Sequence, residues 1–190
     1  MKIAITGNIA AGKSVVQEIL QNSGYKVLDT DKCGHAALFL PQVKNMFKHL
    51  DIFENGEISR EKLGHLVFNN SEIKKELENV VHPVIKQNIL DFFEDNRDEE
   101  LLFAAIPLVF EAGMEDLFDK IILVYADDKL RFKRLAERNG YDREYAVKRM
   151  DSQMSQDEKI ARSDFVIYNN GTFSELNASV ENLIQKLSKF

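Results

Sequence analysis

The feature that most constrains the fold is a stretch near the N-terminus, Gly7-Asn8-Ile9-Ala10-Ala11-Gly12-Lys13-Ser14. A short apolar run, residues 2–6, precedes it, and apolar residues at helical spacing follow it. A strand, a G-x-x-x-x-G-K-S loop and a helix in this order form a Walker A loop. The pattern predicts an α/β protein that binds phosphate groups at residues 7–14, here termed the Walker loop.

The Walker loop has the residue types that polyphosphate binding requires. Gly7 and Gly12 allow tight turns, so that backbone N–H groups can point at phosphate oxygens, and the following helix adds its positive N-terminal end. Lys13 supplies a charge for the outer phosphates, and the Ser14 hydroxyl is a ligand for Mg²⁺. The predicted nucleotide-binding residues are Gly7, Asn8, Ile9, Ala10, Ala11, Gly12, Lys13, Ser14 and Val15.

Length and charge exclude several classes of protein. The 190 residues suffice for one α/β domain, and the net charge of −6 argues against a general nucleic-acid binder. The single cysteine, Cys33, excludes internal disulfides and is more typical of a small buried hydrophobe than of a catalytic thiol. No apolar run has the length of a membrane span and no signal peptide precedes the first strand, so we expect a cytoplasmic protein without membrane partners.

Five apolar runs separated by helical patterns predict a parallel sheet. They are residues 2–6, 25–28, 101–106, 120–125 and 165–168. We therefore predict a three-layer P-loop NTPase fold, in which helices flank a parallel sheet of about five strands. The predicted core comprises residues 1–31, 99–128 and 161–190. A helical insertion at 32–98 is expected to hold the acceptor, and a small helical lid is expected at 129–160.

Two acids, Asp29 and Asp31, follow the second predicted strand. In open parallel sheets, ligands bind beyond the carboxyl ends of the strands. Two residues apart on an extended chain, both side chains would point the same way, toward the phosphate site. The alternative for each is a helix N-cap or a turn.

Helix signals recur through the insertion. Pro41 can open a helix, and Ser59 and Ser71 can cap two more. The pair His82-Pro83 is expected to interrupt the last of them. His82 is either a structural histidine beside that kink or a substrate contact.

The third predicted strand carries no acid at its tip, so the usual Walker B aspartate is missing. Another carboxylate must help to hold Mg²⁺, and Asp31 is the best placed candidate. Glu111, shortly after Pro107, is expected either to assist with the ion or to cap the next segment.

The predicted lid is basic within an acidic chain. Residues 129–162 contain ten Lys/Arg and six Asp/Glu. Arg131, Arg134 and Arg138 share one helix face, and Arg149 lies on the following short helix. These arginines suit a mobile lid that closes over phosphates, although solvated surface arginines are the alternative for each one.

Taken together, these residues resemble one family, dephospho-CoA kinase. The resemblance runs in register from Ile3 to the last helix. The matching segments are the Walker loop, Asp29-Thr30-Asp31, Phe53 through Gly56 with Arg60 and Leu63-Gly64, Val81-His82-Pro83-Val84-Ile85, Pro107-Leu108-Val109-Phe110-Glu111, Arg134-Leu135 with Arg138, Arg149 with Gln153-Met154, Lys159, Ser163-Asp164-Phe165-Val166-Ile167, and Asn169-Asn170-Gly171.

The resemblance implies transfer of the ATP γ-phosphate to the ribose 3′-hydroxyl of dephospho-CoA, the last step of coenzyme A biosynthesis. It implies that Asp31 orients or deprotonates the hydroxyl, and that Arg138 and Arg149 neutralise the phosphoryl group beside Lys13. Expected metal ligands are Ser14 and Asp31. The expected acceptor contacts are Asp31, Arg60, His82, Pro107 and Glu111, and Asn169 is expected in the adenine pocket.

The chain departs from the family pattern in the Walker loop. The family loop usually reads G-G-I-G-S-G-K-S, whereas Asn8, Ala10 and Ala11 replace its second glycine, third glycine and serine. Alanine tolerates positive φ poorly, so Ala10 is the substitution of most consequence. His35 stands where the family often has arginine, and Ala105 where relatives often have an acid.

Two other functions stay open from the sequence. One is another small-molecule kinase of the same architecture, for nucleosides or nucleoside monophosphates. The other is a nucleotide-dependent regulatory module without catalysis. Small-molecule substrates are the expected partners, and the chain is expected to be a monomer or a small homo-oligomer.

Overall fold

The computed structural model describes residues 1–189 in two compact units. The first unit contains Met1–Asp29 and the chain from Phe92 onward, and the second contains Thr30–Asp91. Each unit has its own cluster of buried apolar side chains. The predicted boundaries of the acceptor insertion, 32–98, and of the lid, 129–160, are functional assignments and stay predictions.

The strands fall close to the predicted apolar runs. They are β1 Lys2–Thr6, β2 Lys26–Asp29, β3 Phe53–Glu54, β4 Glu57–Ile58, β5 Leu102–Ala105, β6 Lys120–Tyr125 and β7 Phe165–Tyr168. Five of them form a parallel sheet in the order β2-β5-β1-β6-β7. The predicted parallel sheet of about five strands is confirmed, and β1 at its centre leads into the Walker loop.

The helices are α1 Lys13–Asn22, α2 Thr30–Ala37, α3 Pro41–Phe47, α4 Arg60–Asn69, α5 Ser71–Asp95, α6 Asp128–Asn139, α7 Arg143–Asp151, α8 Gln156–Arg162 and α9 Phe173–Leu187. Gly140 ends α6 in the left-handed conformation, and a capping box at Ser155 opens α8. Among residues 1–189, none of the helices is both long and apolar enough to span a bilayer.

One face of the sheet packs against α1 and α9. Alternate residues of the strands point into this layer, as the period of a β-strand requires. Phe103 of β5 is fully buried there, with its ring edge-on to Tyr25 at 5.6 Å between centroids. This packing fixes the carboxyl ends of β1, β5 and β6, from which the site segments emerge.

The second unit is helical, with a two-stranded hairpin between α3 and α4. Asn55 and Gly56, both at positive φ, form the hairpin turn. The prediction that His82-Pro83 interrupts a helix was wrong, because α5 runs through Pro83 without a break in its assignment. Ser71 is also not the cap of α5, since Asn70 Oδ1 accepts hydrogen bonds from the N–H groups of Glu72 and Ile73.

The segment after β2 is helical rather than extended. Asp29 is the last residue of β2, and α2 begins at the next residue, Thr30. The argument that Asp29 and Asp31 point the same way on an extended chain was therefore wrong. Asp31 lies in the first turn of α2, where a carboxylate is favoured by the helix dipole.

Replacing Phe103 by alanine tests the core that supports the site. The Phe103→Ala variant should lose about 3–5 kcal/mol of unfolding free energy, since a fully buried aromatic leaves a cavity. Phe173→Ala is the matched control, because this side chain is 65% exposed and its loss should change stability by less than about 0.5 kcal/mol. Equal losses in urea denaturation would contradict the packing described.

Candidate active site

The Walker loop makes a tight turn between β1 and α1. Gly12 has φ 104°, and the N–H of Ala11 donates to the carbonyl of Asn8 at 3.0 Å. A methyl group on Gly12 would lie 2.1 Å from Asn169 Nδ2, and one on Gly7 would lie 2.7 Å from the Val124 carbonyl oxygen. Both glycines are therefore required by space, and Gly12 by its backbone conformation as well.

Ala10 adopts the left-handed backbone conformation, to which the glycine at this position of the family loop is suited. Its φ is 63°, a conformation that costs an L-residue with a Cβ about 1–2 kcal/mol. Asn8 and Ala11 have negative φ, so their replacements carry no such cost. Of the substitutions in the loop, Ala10 is the strained one.

The carbonyl groups of the loop are held from one side by an arginine and an asparagine. Arg134 Nη1 donates to the carbonyls of Ala10 and Ala11, at 3.1 and 3.2 Å, and its Nη2 donates to the Asn169 carbonyl at 3.0 Å. Asn169 Nδ2 also donates to the Ala11 carbonyl, at 2.8 Å. Since C=O and the next N–H point opposite ways in a trans peptide, the Gly12 N–H is directed away from these donors.

A second arginine, Arg131, secures the start of the loop. Its Nε donates to the Ile9 carbonyl at 3.0 Å, and its Nη1 pairs with Asp128 at 2.8 Å. Only 3% of Arg131 is exposed, and this burial lowers the pKa of its guanidinium. The Asp128 carboxylate raises that pKa and so opposes the effect of burial. The guanidinium stays charged because its ordinary pKa is so high.

Arg131 and Arg134 were predicted on the lid face that closes over phosphates. In the structure both donate to carbonyls of the Walker loop or of the segment after β7, so they support the backbone that surrounds the phosphate site. Sequence reasoning missed this role. The only signal was their shared helix face at i and i+3.

The segment between α7 and α8, residues 152–155, holds the loop from the other direction; we term it the α7–α8 junction. Asn8 Nδ2 donates to the Met154 carbonyl at 2.8 Å, and Gln153 Oε1 accepts from the Ile9 N–H at 2.7 Å. Both contacts join residues more than 140 positions apart. Neither was predicted, although Gln153-Met154 belongs to the matched family pattern.

An ion pair with a buried lysine connects the segment after β5 to the same junction. Lys159 is fully buried, with its Nζ 2.8 Å from Glu111 Oε1 and 3.4 Å from the Pro107 carbonyl. The same carboxylate oxygen accepts from the Met154 N–H at 3.1 Å. Glu111 is thus engaged by protein groups on its Oε1, and its predicted substrate role stays a prediction.

The remaining predicted residues belong to five different helices. Arg138 is exposed near the end of α6, with Nε donating to Asn139, and Arg149 is half-buried in α7. Asp31, Arg60 and His82 all belong to the second unit, on α2, α4 and α5. Their predicted roles toward the acceptor stay predictions.

Magnesium fits the donors of this chain only together with a nucleotide. In the part of the chain that the structure describes, no group of three or more His, Cys, Asp or Glu could hold a metal by itself. Mg²⁺ commonly takes one or two carboxylates, phosphate oxygens and water in kinase sites. The Ser14 hydroxyl at the start of α1 and the Asp31 carboxylate are donors of the appropriate hard-oxygen type.

A parallel sheet whose central strand leads into a Walker loop defines a P-loop nucleotide-binding protein. A family model described as CoaE, dephospho-CoA kinase, matches residues 1–175. The chain belongs to the dephospho-CoA kinase family. The enzyme class that the sequence indicated is thereby confirmed, with ATP as the substrate that a P-loop kinase uses.

Known relatives cover nearly the whole chain. The dephospho-CoA kinase of Listeria monocytogenes is 35% identical, over 98% of this chain and 97% of its own. The crystal structure of TT1252 from Thermus thermophilus matches with a TM-score of 0.86 at 33% identity, over 98% and 97%. A dephospho-CoA kinase from Campylobacter jejuni matches with a TM-score of 0.75 at 34% identity, over 100% and 98%.

Replacing Ala10 by glycine tests the strain in the loop. The Ala10→Gly variant should gain about 0.5–1 kcal/mol of unfolding free energy, because relief of the left-handed strain exceeds the entropy cost of glycine. Ala11→Gly is the matched control. It should lose about 1–2 kcal/mol, since Ala11 is buried at negative φ. If urea denaturation finds both variants destabilised alike, Ala10 is not strained.

Proposed function

We propose that this chain transfers the γ-phosphoryl group of ATP to the ribose 3′-hydroxyl of dephospho-CoA, giving coenzyme A and ADP. The hydroxyl oxygen forms a bond to the γ-phosphorus while the bond to the β–γ bridging oxygen breaks. The observation that carries the proposal is the Walker loop with its carbonyls fixed by Arg134 and Asn169, in a chain matched along its length by the family.

The Walker loop performs the nucleotide-binding part of this reaction. Its N–H groups and the N-terminus of α1 attract phosphate oxygens, and Lys13 adds a positive charge for the β- and γ-phosphates. Because Arg131 and Arg134 fix the loop carbonyls before nucleotide arrives, little backbone ordering remains to oppose binding. Asn169, whose Nδ2 donates to the Ala11 carbonyl, is the proposed contact to adenine.

The chemical step depends on charge and position. Asp31 accepts the proton of the attacking hydroxyl, or orients that hydroxyl by a hydrogen bond. Arg138 and Arg149 neutralise the transferring phosphoryl group, which carries its charge on three oxygens. Mg²⁺, held by Ser14, Asp31 and phosphate oxygens, would supply further neutralisation of the phosphate charge.

Recognition of the acceptor is proposed for four residues. Arg60 and His82 of the second unit, with Pro107 and Glu111 after β5, are the proposed contacts to dephospho-CoA. Glu111 would contribute through its second carboxylate oxygen, since Oε1 already binds Lys159 and Met154.

An acceptor panel tests the proposed substrate. ADP release is measured with dephospho-CoA, adenosine, AMP and no acceptor, at equal ATP and Mg²⁺ concentrations. We expect a kcat/KM for dephospho-CoA at least about a hundredfold above the others, because a site built for the larger acceptor uses its remote contacts. Equal rates with adenosine or AMP would favour a nucleoside or nucleotide kinase. Binding of ATP without turnover of any acceptor would favour a regulatory module.

Replacing Asp31 by asparagine tests the proposed base. The Asp31→Asn variant should lose about 10²–10⁴-fold in kcat with little change in ATP affinity, because the amide cannot accept the hydroxyl proton. Asp29→Asn is the matched control, two residues earlier at the end of β2, and should have a much smaller effect on kcat. Near-parental turnover by Asp31→Asn would remove the base assignment.

A further inference from the structure

We propose that Asn8 is a positioning residue, whose side chain ties the α7–α8 junction to the Walker loop and thereby sets the place of Arg149. The inference rests on the proposed function for the role of Arg149. Related loops usually have glycine at this position, and glycine has no side chain with which to make the Asn8 contact.

The contact is short and buried. Asn8 Nδ2 lies 2.8 Å from the Met154 carbonyl, and only 4% of Asn8 is exposed. Beside it, the Ile9 N–H donates to Gln153 Oε1 at 2.7 Å. Two consecutive loop residues therefore bind two consecutive junction residues, which fixes both the position and the rotation of the junction against the loop.

Met154 is held through both of its backbone groups. Its carbonyl accepts from Asn8 and its N–H donates to Glu111, which is paired with the buried Lys159. Glu111 links the junction to the tip of β5, whereas Asn8 links it to the Walker loop. Without Asn8, the Met154 carbonyl loses its bond to the Walker loop, and the Gln153 contact with Ile9 alone joins the junction to that loop.

The junction is continuous with the helix that carries Arg149. The Ser152 N–H donates to the Lys148 carbonyl at 3.1 Å, and Ser152 Oγ donates to the Arg149 carbonyl at 2.9 Å. Local hydrogen bonds thus connect Arg149 to the start of the junction. A displacement of Met154 is transmitted to Arg149, and a guanidinium displaced by about 1 Å stabilises a transition state far less well.

Asn8 also belongs to a polar cavity behind the loop. The cavity, of about 430 Å³, is lined by Asn8, Arg131, Gln153 and Gln156, together with neighbouring residues. Asn8 Oδ1, Arg131 Nη2 and Gln156 Oε1 are buried polar atoms that have no hydrogen-bond partner within the protein. The Arg131 donor and the Asn8 and Gln156 acceptors around this space suit ordered water. Such water would link Asn8 to Arg131 on α6 and to Gln156 on α8.

Kinetics of Asn8→Ala and Asn8→Gly test the inference. Both variants should lose about tenfold in kcat, because a displaced Arg149 stabilises the transferring phosphoryl group less well. The KM for ATP should stay within about threefold, because the loop carbonyls keep Arg131 and Arg134. Asn177→Ala, which removes an exposed asparagine amide on α9, is the matched control with parental kcat.

A double-mutant cycle with Arg149→Ala separates positioning from general stability. If Asn8 acts through Arg149, Asn8→Ala should cost little further kcat once Arg149 is alanine, so that the two losses are not additive. A purely structural Asn8 gives additive losses in kcat together with a lower Tm. Additive losses, or parental kcat in both Asn8 variants, would overturn the inference.

Hydrogen exchange provides a readout that does not depend on the substrate. In the protein without ligands, amides of residues 152–155 should exchange at least about fivefold faster in Asn8→Ala than in the parent, since opening of the junction becomes easier. Unchanged exchange contradicts the tie. If the parent fails to phosphorylate dephospho-CoA, the proposed function falls, while the exchange result still decides whether Asn8 holds the junction.

Discussion

The structure depends on hydrogen bonds that hold the carbonyl groups of the Walker loop from outside. Arg131, Arg134 and Asn169 donate to the carbonyls of Ile9, Ala10 and Ala11. A loop with glycine and left-handed residues would otherwise populate many conformations at a large cost in binding entropy. The donors restrict the loop to the conformation in the structure, and Arg134 also stabilises the strained backbone at Ala10.

These donors come from elements that the core places at one edge of the sheet. The Walker loop follows β1, Glu111 follows β5, Arg131 follows β6 and Asn169 follows β7, four neighbouring parallel strands. Lys159 is fully buried and pairs with Glu111, whose partly exposed carboxylate also accepts from the Met154 N–H, so this pair helps to fix the junction in place. Catalysis of phosphoryl transfer relies on positioning and charge, so a network that fixes positions is suited to the proposed reaction.

The sequence was sufficient to predict the sheet, the Walker loop and the family, because apolar runs and the G-x-x-x-x-G-K-S motif are local signals. It was also sufficient to single out Ala10, since motif and residue type together define the strain. It was insufficient for the supports of the loop: Arg131, Arg134 and Gln153 contact it across more than 120 residues, and no local pattern encodes such partners. Pro83 misled the helix prediction because tertiary packing can keep a proline within a long helix.

Calorimetric titration with a non-hydrolysable ATP analogue measures how far the hydrogen bonds to the loop carbonyls determine nucleotide affinity. A lysine in place of Arg134 keeps the charge but cannot reach three carbonyls at once with a planar fork. We expect Arg134→Lys to bind the analogue at least about tenfold more weakly than the parent. The control Arg97→Lys, at an exposed arginine paired with Glu94, should bind it as well as the parent does. Parental affinity in Arg134→Lys would contradict the claim that these outer hydrogen bonds shape the phosphate site.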